Sequence, residues 1–157
     1  MTSPSSHSKT AAMLKQLSLA FSQIPFNQML GLQLDHIDTE HVTFNFTMKK
    51  ELIGNFLHGI LHGGVISSVL DMAGGMVVMA AAVQKHVDSP LEELAEIIGK
   101  TSTIDLQISY LRPGKGEMFI AKAWLVKSGN KIAFARMELR NQDDVLIATG
   151  NGTYLLN

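Results

Sequence analysis

The sequence predicts an α+β fold in which a curved antiparallel sheet wraps around one long, apolar central helix. Three observations support this. Residues 63–83 are apolar on every side, alternating strands lie before and after them, and the later strands follow one another through short turns. Strands joined by short turns pair antiparallel, and a helix that is apolar all round must be covered by other elements. A sheet that curves around the helix satisfies both conditions.

The composition indicates one domain and excludes several kinds of site. A chain of 157 residues can bury one continuous core, so we expect residues 13–157 to form a single domain. The chain is 46% hydrophobic and 17% charged, which indicates that a partner subunit covers part of its surface. A net charge of −1 gives no reason to expect a nucleic-acid partner. The absence of cysteine excludes disulfides, thiolate metal ligands and a cysteine nucleophile, and is compatible with the cytoplasmic location that we expect.

The N-terminal third is predicted to contain a tail, a helix, two strands and a loop. Residues 1–12 are rich in serine and threonine and have no apolar run, so we expect a disordered tail and not a signal peptide. Apolar residues at helical spacing predict the first helix, namely Leu14, Leu17, Phe21 and Ile24. Pro25 ends this helix. Strands are predicted over residues 32–37 and 42–48, and residues 49–61 form a loop because they show no clear period.

The part of the chain after the central helix is predicted to be one surface helix followed by a meander of strands. The surface helix begins at Pro90 and contains several glutamates. Four strands follow, over residues 104–110, 118–126, 132–139 and 145–155. Ser128-Gly129-Asn130 is a plausible hairpin turn between two of them.

The central helix is long enough to cross a membrane, which requires about 20 apolar residues. Asp71 lies near its middle, however, and a central carboxylate costs about 2.5 to 3.5 kcal/mol to insert. The strongly alternating strands that follow also require a soluble core. We therefore interpret this segment as a buried helix that contains one functional carboxylate, and we expect no membrane insertion.

One segment of the sequence carries catalytic chemistry: His62-Gly63-Gly64, with Asp71 farther along the same helix. Glycines at a helix start expose N–H groups at the positive end of the dipole, where a developing oxyanion is stabilised. Close packing of helix on sheet explains such glycines equally well. A carboxylate among apolar residues is costly unless it is paired or solvated in a site, and no nearby cation of the helix pairs with Asp71. Asp71 is therefore the candidate general base or nucleophile, a purely structural carboxylate being the alternative.

The spacing within this segment predicts a site shared between two subunits. Gly63 and Asp71 are eight residues apart, or about 12 Å along a helix. Both groups must address one reacting carbonyl, and a single helix cannot easily present them so close together. If both act, they come from different copies of the chain. We therefore expect a homodimer or a dimer of dimers with the site at the interface.

Other catalytic and metal motifs are weak or absent. His58 and His62 have the i, i+4 spacing of a metal pair, but they lie in a loop and no glutamate lies between them. We expect no metal and no cofactor. The sequence also has no Gly-x-Ser-x-Gly, the turn that presents the serine of one large class of hydrolases.

Two segments of the chain, residues 55–71 and 103–113, resemble the hotdog-fold acyl-CoA thioesterases of the phenylacetate-degradation type. The most specific pieces are Ile-Leu-His-Gly-Gly-Val at residues 60–65, with Asp71 behind it, and Thr-Ile-Asp-Leu at residues 103–106. Within that group, the chain looks most like a bacterial subfamily thought to act on medium- and long-chain acyl-CoAs. The resemblance implies a hotdog fold, in which the sheet wraps around the central helix.

The resemblance also implies roles for individual residues of the motif. Asp71 matches the carboxylate that activates water or attacks directly, and Gly63 matches the glycine whose N–H polarises the thioester carbonyl. His62 matches a histidine that orders the loop, and Thr103 falls where relatives place a hydroxyl residue from the Asp-bearing subunit. Asn55 matches an active-site asparagine but lies one residue too far from His62, so His58 is the alternative for its role.

Four residues are implied as contacts of the CoA moiety. Lys127 occupies the place of a basic residue that meets the CoA phosphates, and the lesser candidates are Asn130, Lys131 and Arg112. Solvated strand ends explain the basic residues about equally well, because exposed lysine is ordinary.

The function implied by the resemblance is hydrolysis of medium- to long-chain acyl-CoA to fatty acid and CoA. Few aromatic residues are available to stack on an aryl group, whereas Met72, Met76 and Met79 lie near Asp71 and suit an aliphatic chain. A non-catalytic acyl-CoA-binding hotdog protein is one alternative. A hotdog hydratase or dehydratase is another, although its motif differs from His62-Gly63-Gly64.

Overall fold

The structure is a computed structural model that describes residues 5–156. The helices are α1 (Ser6–Ser22), α2 (Pro25–Leu30), α3 (Gly63–Lys85) and α4 (Leu91–Lys100). The strands are β1 (Gln33–Ile37), β2 (His41–Thr47), β3 (Ile53–Asn55), β4 (Ile60–Leu61), β5 (Ser102–Tyr110), β6 (Met118–Ser128), β7 (Ile132–Asn141) and β8 (Leu146–Leu155). A short 3-10 helix, Lys50–Leu52, precedes β3.

Six strands form one antiparallel sheet in the order β1-β2-β6-β7-β8-β5, and β3 and β4 form a separate hairpin. The prediction of an antiparallel sheet on a central helix is confirmed. Alternate residues of β2 are buried, with Val42, Phe44 and Phe46 each at most 1% exposed. These side chains belong to the same core as α3, because alternation places one face of each strand toward the helix. β1 and β5 are the two edges of the sheet.

Helix α3 forms the centre of the core and packs on β6, β7 and β8. It has the length and apolar composition of a membrane-spanning helix, but more than half of its apolar segment is buried inside the protein. Gly74 allows β8 to approach closely, because a Cβ there would lie 2.2 Å from the hydroxyl oxygen of Tyr154. Burial against the sheet accounts for the apolar surface on every side of the helix.

The structure differs from the sequence prediction at the N-terminus. Residues 6–12 belong to α1 and are not a disordered tail, whereas residues 1–4 lie outside the described part of the chain. Ser5 caps the helix by accepting a hydrogen bond from the amide of Ser8. Thr10 is buried and donates to the backbone oxygen of Ser6, and its hydroxyl lies 3.3 Å from Oε1 of Gln84 at the end of α3. These polar contacts order a serine-rich segment whose composition resembles that of a tail.

The segment predicted as a loop, residues 49–61, contains the 3-10 helix and the β3–β4 hairpin. Its regular pieces are only two or three residues long, so they leave no periodic pattern in the sequence. Gly54 lies against the start of α3, where a Cβ would come within 2.5 Å of the Cα of His62. The close approach fixes the hairpin beside the first turn of the helix.

Candidate active site

The first turn of α3 carries the His-Gly-Gly motif. His62 is the N-cap residue, and its Nδ1 accepts a hydrogen bond of 2.8 Å from the amide of Gly64. Because Nδ1 accepts, the proton of the neutral ring lies on Nε2. An imidazole as helix cap is uncommon, since serine, threonine, asparagine and aspartate are preferred at this position. His62 therefore caps the helix start, and the role that the family resemblance implies for it stays a prediction.

Gly63 is the first residue of the helix and lies against Tyr110 at the end of β5. The Tyr110 hydroxyl donates to the backbone oxygen of Gly63 at 3.2 Å. Among the described residues, no hydrogen-bond acceptor is found for the N–H of Gly63. An amide N–H in the first turn has no partner within its own helix, so this one is available to an anionic or polarised oxygen.

Asp71 lies two turns farther along α3 and is held through one of its two carboxylate oxygens. The Thr103 hydroxyl donates to Oδ1 at 2.9 Å. The hydroxyl oxygen of Tyr154 lies 3.3 Å from Oδ1 and 3.2 Å from the backbone oxygen of Asp71, so its single proton is shared between them. Oδ2 has no hydrogen-bond partner within residues 5–156. The carboxylate is oriented at one oxygen and available to a water or a substrate at the other.

Tyr154 is a site residue that the sequence reading missed. It lies on β8 and is 1% exposed, beneath the glycines of α3. Burial, the negative charge of Asp71 and the hydrogen bond to it raise the pKa of the Tyr154 hydroxyl far above its ordinary value. The hydroxyl therefore stays protonated and remains a donor to Asp71 throughout the physiological pH range.

Asp71 forms part of the wall of an apolar cavity of about 310 Å³ between α1, α3 and α4, which we call the proximal cavity. Met72, Met76 and Met79 line it along α3, as the sequence predicted. Phe21 of α1 lines it from the opposite side. A cavity with mainly apolar walls and one carboxylate beside it suits a ligand with an aliphatic chain attached to a polar reacting group.

Asn55 and His58 lie in the turn between β3 and β4. The side-chain oxygen of Asn55 accepts the amide of Leu57 at 3.1 Å, and its backbone oxygen accepts the amides of His58 and Gly59. Asn55 thus stabilises the turn, and both Asn55 and His58 are exposed. Neither is among the residues that hydrogen bond to Asp71 in one chain. A catalytic role for either residue remains a prediction.

The predicted CoA contacts occupy two separate places. Lys127, Asn130 and Lys131 are exposed at the β6–β7 turn, where Asn130 Oδ1 accepts from Lys85 at 2.9 Å. Lys85 ends α3, roughly 20 Å along the helix from Asp71 at 1.5 Å per residue. Arg112 follows β5 and donates to the backbone oxygen of Leu146 at 2.9 Å. Within one chain, Asn130 is thus far from Asp71, and the guanidinium of Arg112 supports a neighbouring strand.

Within the described residues, one cluster combines the ligand types of a metal site, and it lies far from Asp71. His36 Nε2 and His41 Nδ1 lie 2.7 and 2.9 Å from Oδ2 of Asp38, on the β1–β2 hairpin at the opposite edge of the sheet. The two imidazole rings are stacked with centroids 4.2 Å apart. Both rings contact the same carboxylate oxygen, so the three side chains link the two strands of the hairpin.

The fold and the site together define a hotdog-fold thioester hydrolase. The model of the thioesterase superfamily matches residues 58–148, and the chain belongs to this family. It is 40% identical over 133 residues to the medium/long-chain acyl-CoA thioesterase YigI of Escherichia coli, covering 85% of this chain and 86% of that protein.

Two solved structures show how widely the fold is shared. A Shewanella oneidensis protein related to the thioesterase superfamily superposes with a TM-score of 0.90 at 40% identity, covering 94% of this chain and 97% of that one. The Escherichia coli PaaI protein from the phenylacetic acid degradation operon superposes with a TM-score of 0.76 over 93% of this chain. Its 18% identity supports likeness of fold alone. The predicted family resemblance and hotdog fold are confirmed.

Proposed function

We propose that this protein hydrolyses medium- and long-chain acyl-CoA thioesters to a fatty acid and CoA. The observation that supports this most directly is the Asp71 carboxylate, which is fixed at Oδ1, free at Oδ2, and set in the wall of an apolar cavity. The similarity to the medium/long-chain acyl-CoA thioesterase YigI supports the same substrate class. The cytoplasm, where acyl-CoA is available, is the proposed location.

The reaction requires a nucleophile, a polarised carbonyl and a leaving thiolate. In one route, Asp71 takes a proton from water while the oxygen attacks the carbonyl carbon, and collapse of the tetrahedral species breaks the C–S bond. The CoA thiolate then takes up the proton. In the other route, Asp71 attacks directly, releases CoA and forms an anhydride that water hydrolyses. The N–H of Gly63, at the positive end of α3, stabilises the oxyanion in both routes.

A homodimer formed through β5 would complete the site. β5 is an edge strand that pairs only with β8, and the exposed apolar side chains on or next to it are Ile104, Tyr110 and Leu111, each at least half exposed. If two copies pair antiparallel through β5 with the two-fold axis at Gln107, Thr103 of one copy lies opposite Leu111 of the partner subunit. Thr103 contacts Asp71, and Tyr110 contacts Gly63. This pairing would bring the carboxylate of one subunit to the helix start of the other.

The test is release of free CoA thiol from a panel of acyl-CoAs with 8 to 16 acyl carbons, comparing the wild-type protein with Asp71→Asn. The substitution keeps the shape of the side chain and removes the base, so we expect a loss of roughly a hundredfold or more. Benzoyl-CoA and phenylacetyl-CoA serve as aryl comparisons and should be poorer substrates. The proposal fails if a folded Asp71→Asn protein keeps a near-normal rate. Binding without thiol release would identify an acyl-CoA-binding protein instead, and water addition at the β-carbon a hydratase.

A further inference from the structure

A second apolar cavity lies beyond the proximal cavity, and we call it the distal cavity. It also has a volume of about 310 Å³ and lies between α1, α4 and the end of α3. Leu17, Ala20 and Ile98 belong to the walls of both cavities. The two spaces are therefore neighbours separated by these three side chains, and the proximal cavity lies on the Asp71 side.

The walls of the distal cavity are suited to hydrocarbon. Met13, Val83, Leu91 and Leu94 line it. Among the described residues of its wall, Gln16 alone has a polar side chain and none carries a charge. A phosphate or a peptide backbone would find almost no hydrogen-bond partner on these walls. An aliphatic chain is the ligand whose transfer from water the cavity favours.

The structure assigns to the distal cavity the binding of the methyl end of long acyl chains, which reach it by passing between Leu17 and Ile98. This assignment rests on the proposed thioesterase function. At about 310 Å³ the proximal cavity is at the small end of ligand pockets, which span roughly 300–1,000 Å³, so an acyl chain of medium length fills it. Longer chains need further apolar space, and the distal cavity adjoins the end of the proximal one.

The helices that form the distal cavity are anchored to the rest of the fold. Near the start of α1, Lys9 forms a salt bridge of 3.1 Å with Asp88, which lies between α3 and α4. Leu14, Leu17 and Phe21 of α1 and Leu94 of α4 are buried in the common core. These contacts hold α1 over the end of α3, so the space between α1 and α4 is part of the folded structure.

Gly99 offers a way to fill the distal cavity from one wall. It lines the distal cavity and not the proximal one, and a Cβ at this position would meet no atom within 4 Å. Its backbone is helical, so a side chain introduces no strain, and most residues favour a helix more than glycine does. The variant Gly99→Phe should place its ring in the cavity.

The matched control is Glu93→Phe. Glu93 lies on the same helix, is exposed, and lines neither cavity. It is six residues from Gly99, which at 3.6 residues per turn places the two side chains about 120° apart around the helix. Glu93 is even farther from the centre of the helix face that lines the cavity. The control thus adds the same ring to α4 outside the cavity. Thermal unfolding of both variants checks that each is folded. If Gly99→Phe does not fold, Ala95→Leu replaces it, because Ala95 also lines the distal cavity.

The experiment measures kcat/KM for octanoyl-, dodecanoyl- and palmitoyl-CoA with the wild type, Gly99→Phe and Glu93→Phe. Each methylene denied its site weakens binding roughly fourfold, so Gly99→Phe should lower kcat/KM for palmitoyl-CoA by at least tenfold. Octanoyl-CoA should change by less than twofold, and Glu93→Phe should match the wild type with all three substrates. Equal effects of Gly99→Phe on short and long chains, or no effect on either, would overturn the assignment. Absence of hydrolysis by the wild type would instead overturn the proposed function.

Discussion

The orientation of a single carboxylate is the residue-scale feature on which the site depends. Thr103 and Tyr154 both approach Oδ1 of Asp71, from two neighbouring strands, β5 and β8. Two donors on one oxygen fix the plane of the carboxylate and leave Oδ2 as the basic atom. The hydroxyls therefore position the base.

We expect Tyr154→Phe to lower kcat by several-fold with little change in KM, because the carboxylate loses one of its two side-chain donors while the cavity wall keeps its ring. A net hydrogen bond of this type contributes about 1 kcal/mol, so the free energy of unfolding should fall by a similar amount. Steady-state kinetics and urea unfolding measure both effects. Thr103→Ser, which keeps a hydroxyl on Oδ1, is the conservative comparison and should retain more activity than Thr103→Val. A Tyr154→Phe enzyme with the wild-type kcat would show that the hydroxyl has only a structural role.

Asp71, His62 and Gly63 were predicted as site residues from a local pattern, and Thr103 from the family resemblance. The structure places the Thr103 hydroxyl on Asp71, and the catalytic roles of all four stay predictions. Tyr154 was missed because it is 83 residues from Asp71, and only the β5–β8 register brings it there. An aromatic residue in an alternating strand looks like ordinary core. The available signal in the sequence is a tyrosine on a strand predicted to pack against the central helix, since a buried hydroxyl needs a partner.

At the scale of elements, long segments were predictable and short ones were not. In α3 and in the four C-terminal strands, apolar residues recur with the period of a helix or of a strand. Each of these elements lies close to its predicted bounds. The β3–β4 hairpin is fixed by the close approach of Gly54 to His62 and by backbone bonds such as His62 N–H to the oxygen of Leu52. Such tertiary contacts leave no periodic trace in the sequence.

The β1–β2 hairpin leads to a prediction about stability and pH. Burial alone would raise the pKa of Asp38, but hydrogen bonds from His36 and from the amides of Glu40 and His41 outweigh it and lower that pKa below the ordinary value of 3.8. A lowered pKa in the folded state stabilises the fold at pH values above 3.8, and this stabilisation is lost as the pH falls through the lower, folded-state value.

We therefore expect Asp38→Asn to be less stable than the wild type at neutral pH, with the difference shrinking as the pH falls below 3.8. Urea unfolding at pH values from 7 to 3 measures the difference. Glu40→Gln removes a negative charge from the same turn, and the side chain of Glu40 is exposed, so this control should unfold like the wild type at every pH. A difference between wild type and Asp38→Asn that is constant over the whole pH range would contradict the ionic origin of the effect.

At the scale of the whole molecule, one chain holds the candidate carboxylate and the candidate oxyanion donor at opposite ends of β5. Asp71 lies beside Thr103 near the start of β5, whereas Gly63 lies beside Tyr110 at its end. Thr103 and Tyr110 are seven residues apart on β5, so a single chain holds the carboxylate and the free N–H apart. The spacing in the sequence predicts a shared site, and the dimer that would complete it stays a prediction. No local sequence pattern specifies which strand would pair with the edge strand β5, because an exposed edge accepts any strand of suitable register.

Subunit mixing provides the last prediction. Asp71→Asn removes the base, and Gly63→Pro removes the N–H that is expected to stabilise the oxyanion. Proline is tolerated at the first position of a helix, and His62 already has the extended backbone, with φ −62° and ψ 136°, that a following proline requires. We therefore expect both variants to fold and each to be inactive alone. Urea unfolding of each homodimer checks the first expectation.

In a dimer of one Asp71→Asn chain and one Gly63→Pro chain, a shared site predicts one site with both defects and one with neither. Coexpression with two different affinity tags, followed by purification on both, gives dimers of known composition. These should recover up to half of the wild-type activity per dimer, because one of the two sites is intact. Tagged wild-type dimers purified in the same way set the reference. If the mixed dimers are folded and verified but remain inactive, the carboxylate and the N–H act within one chain, and pairing through β5 does not complete the site.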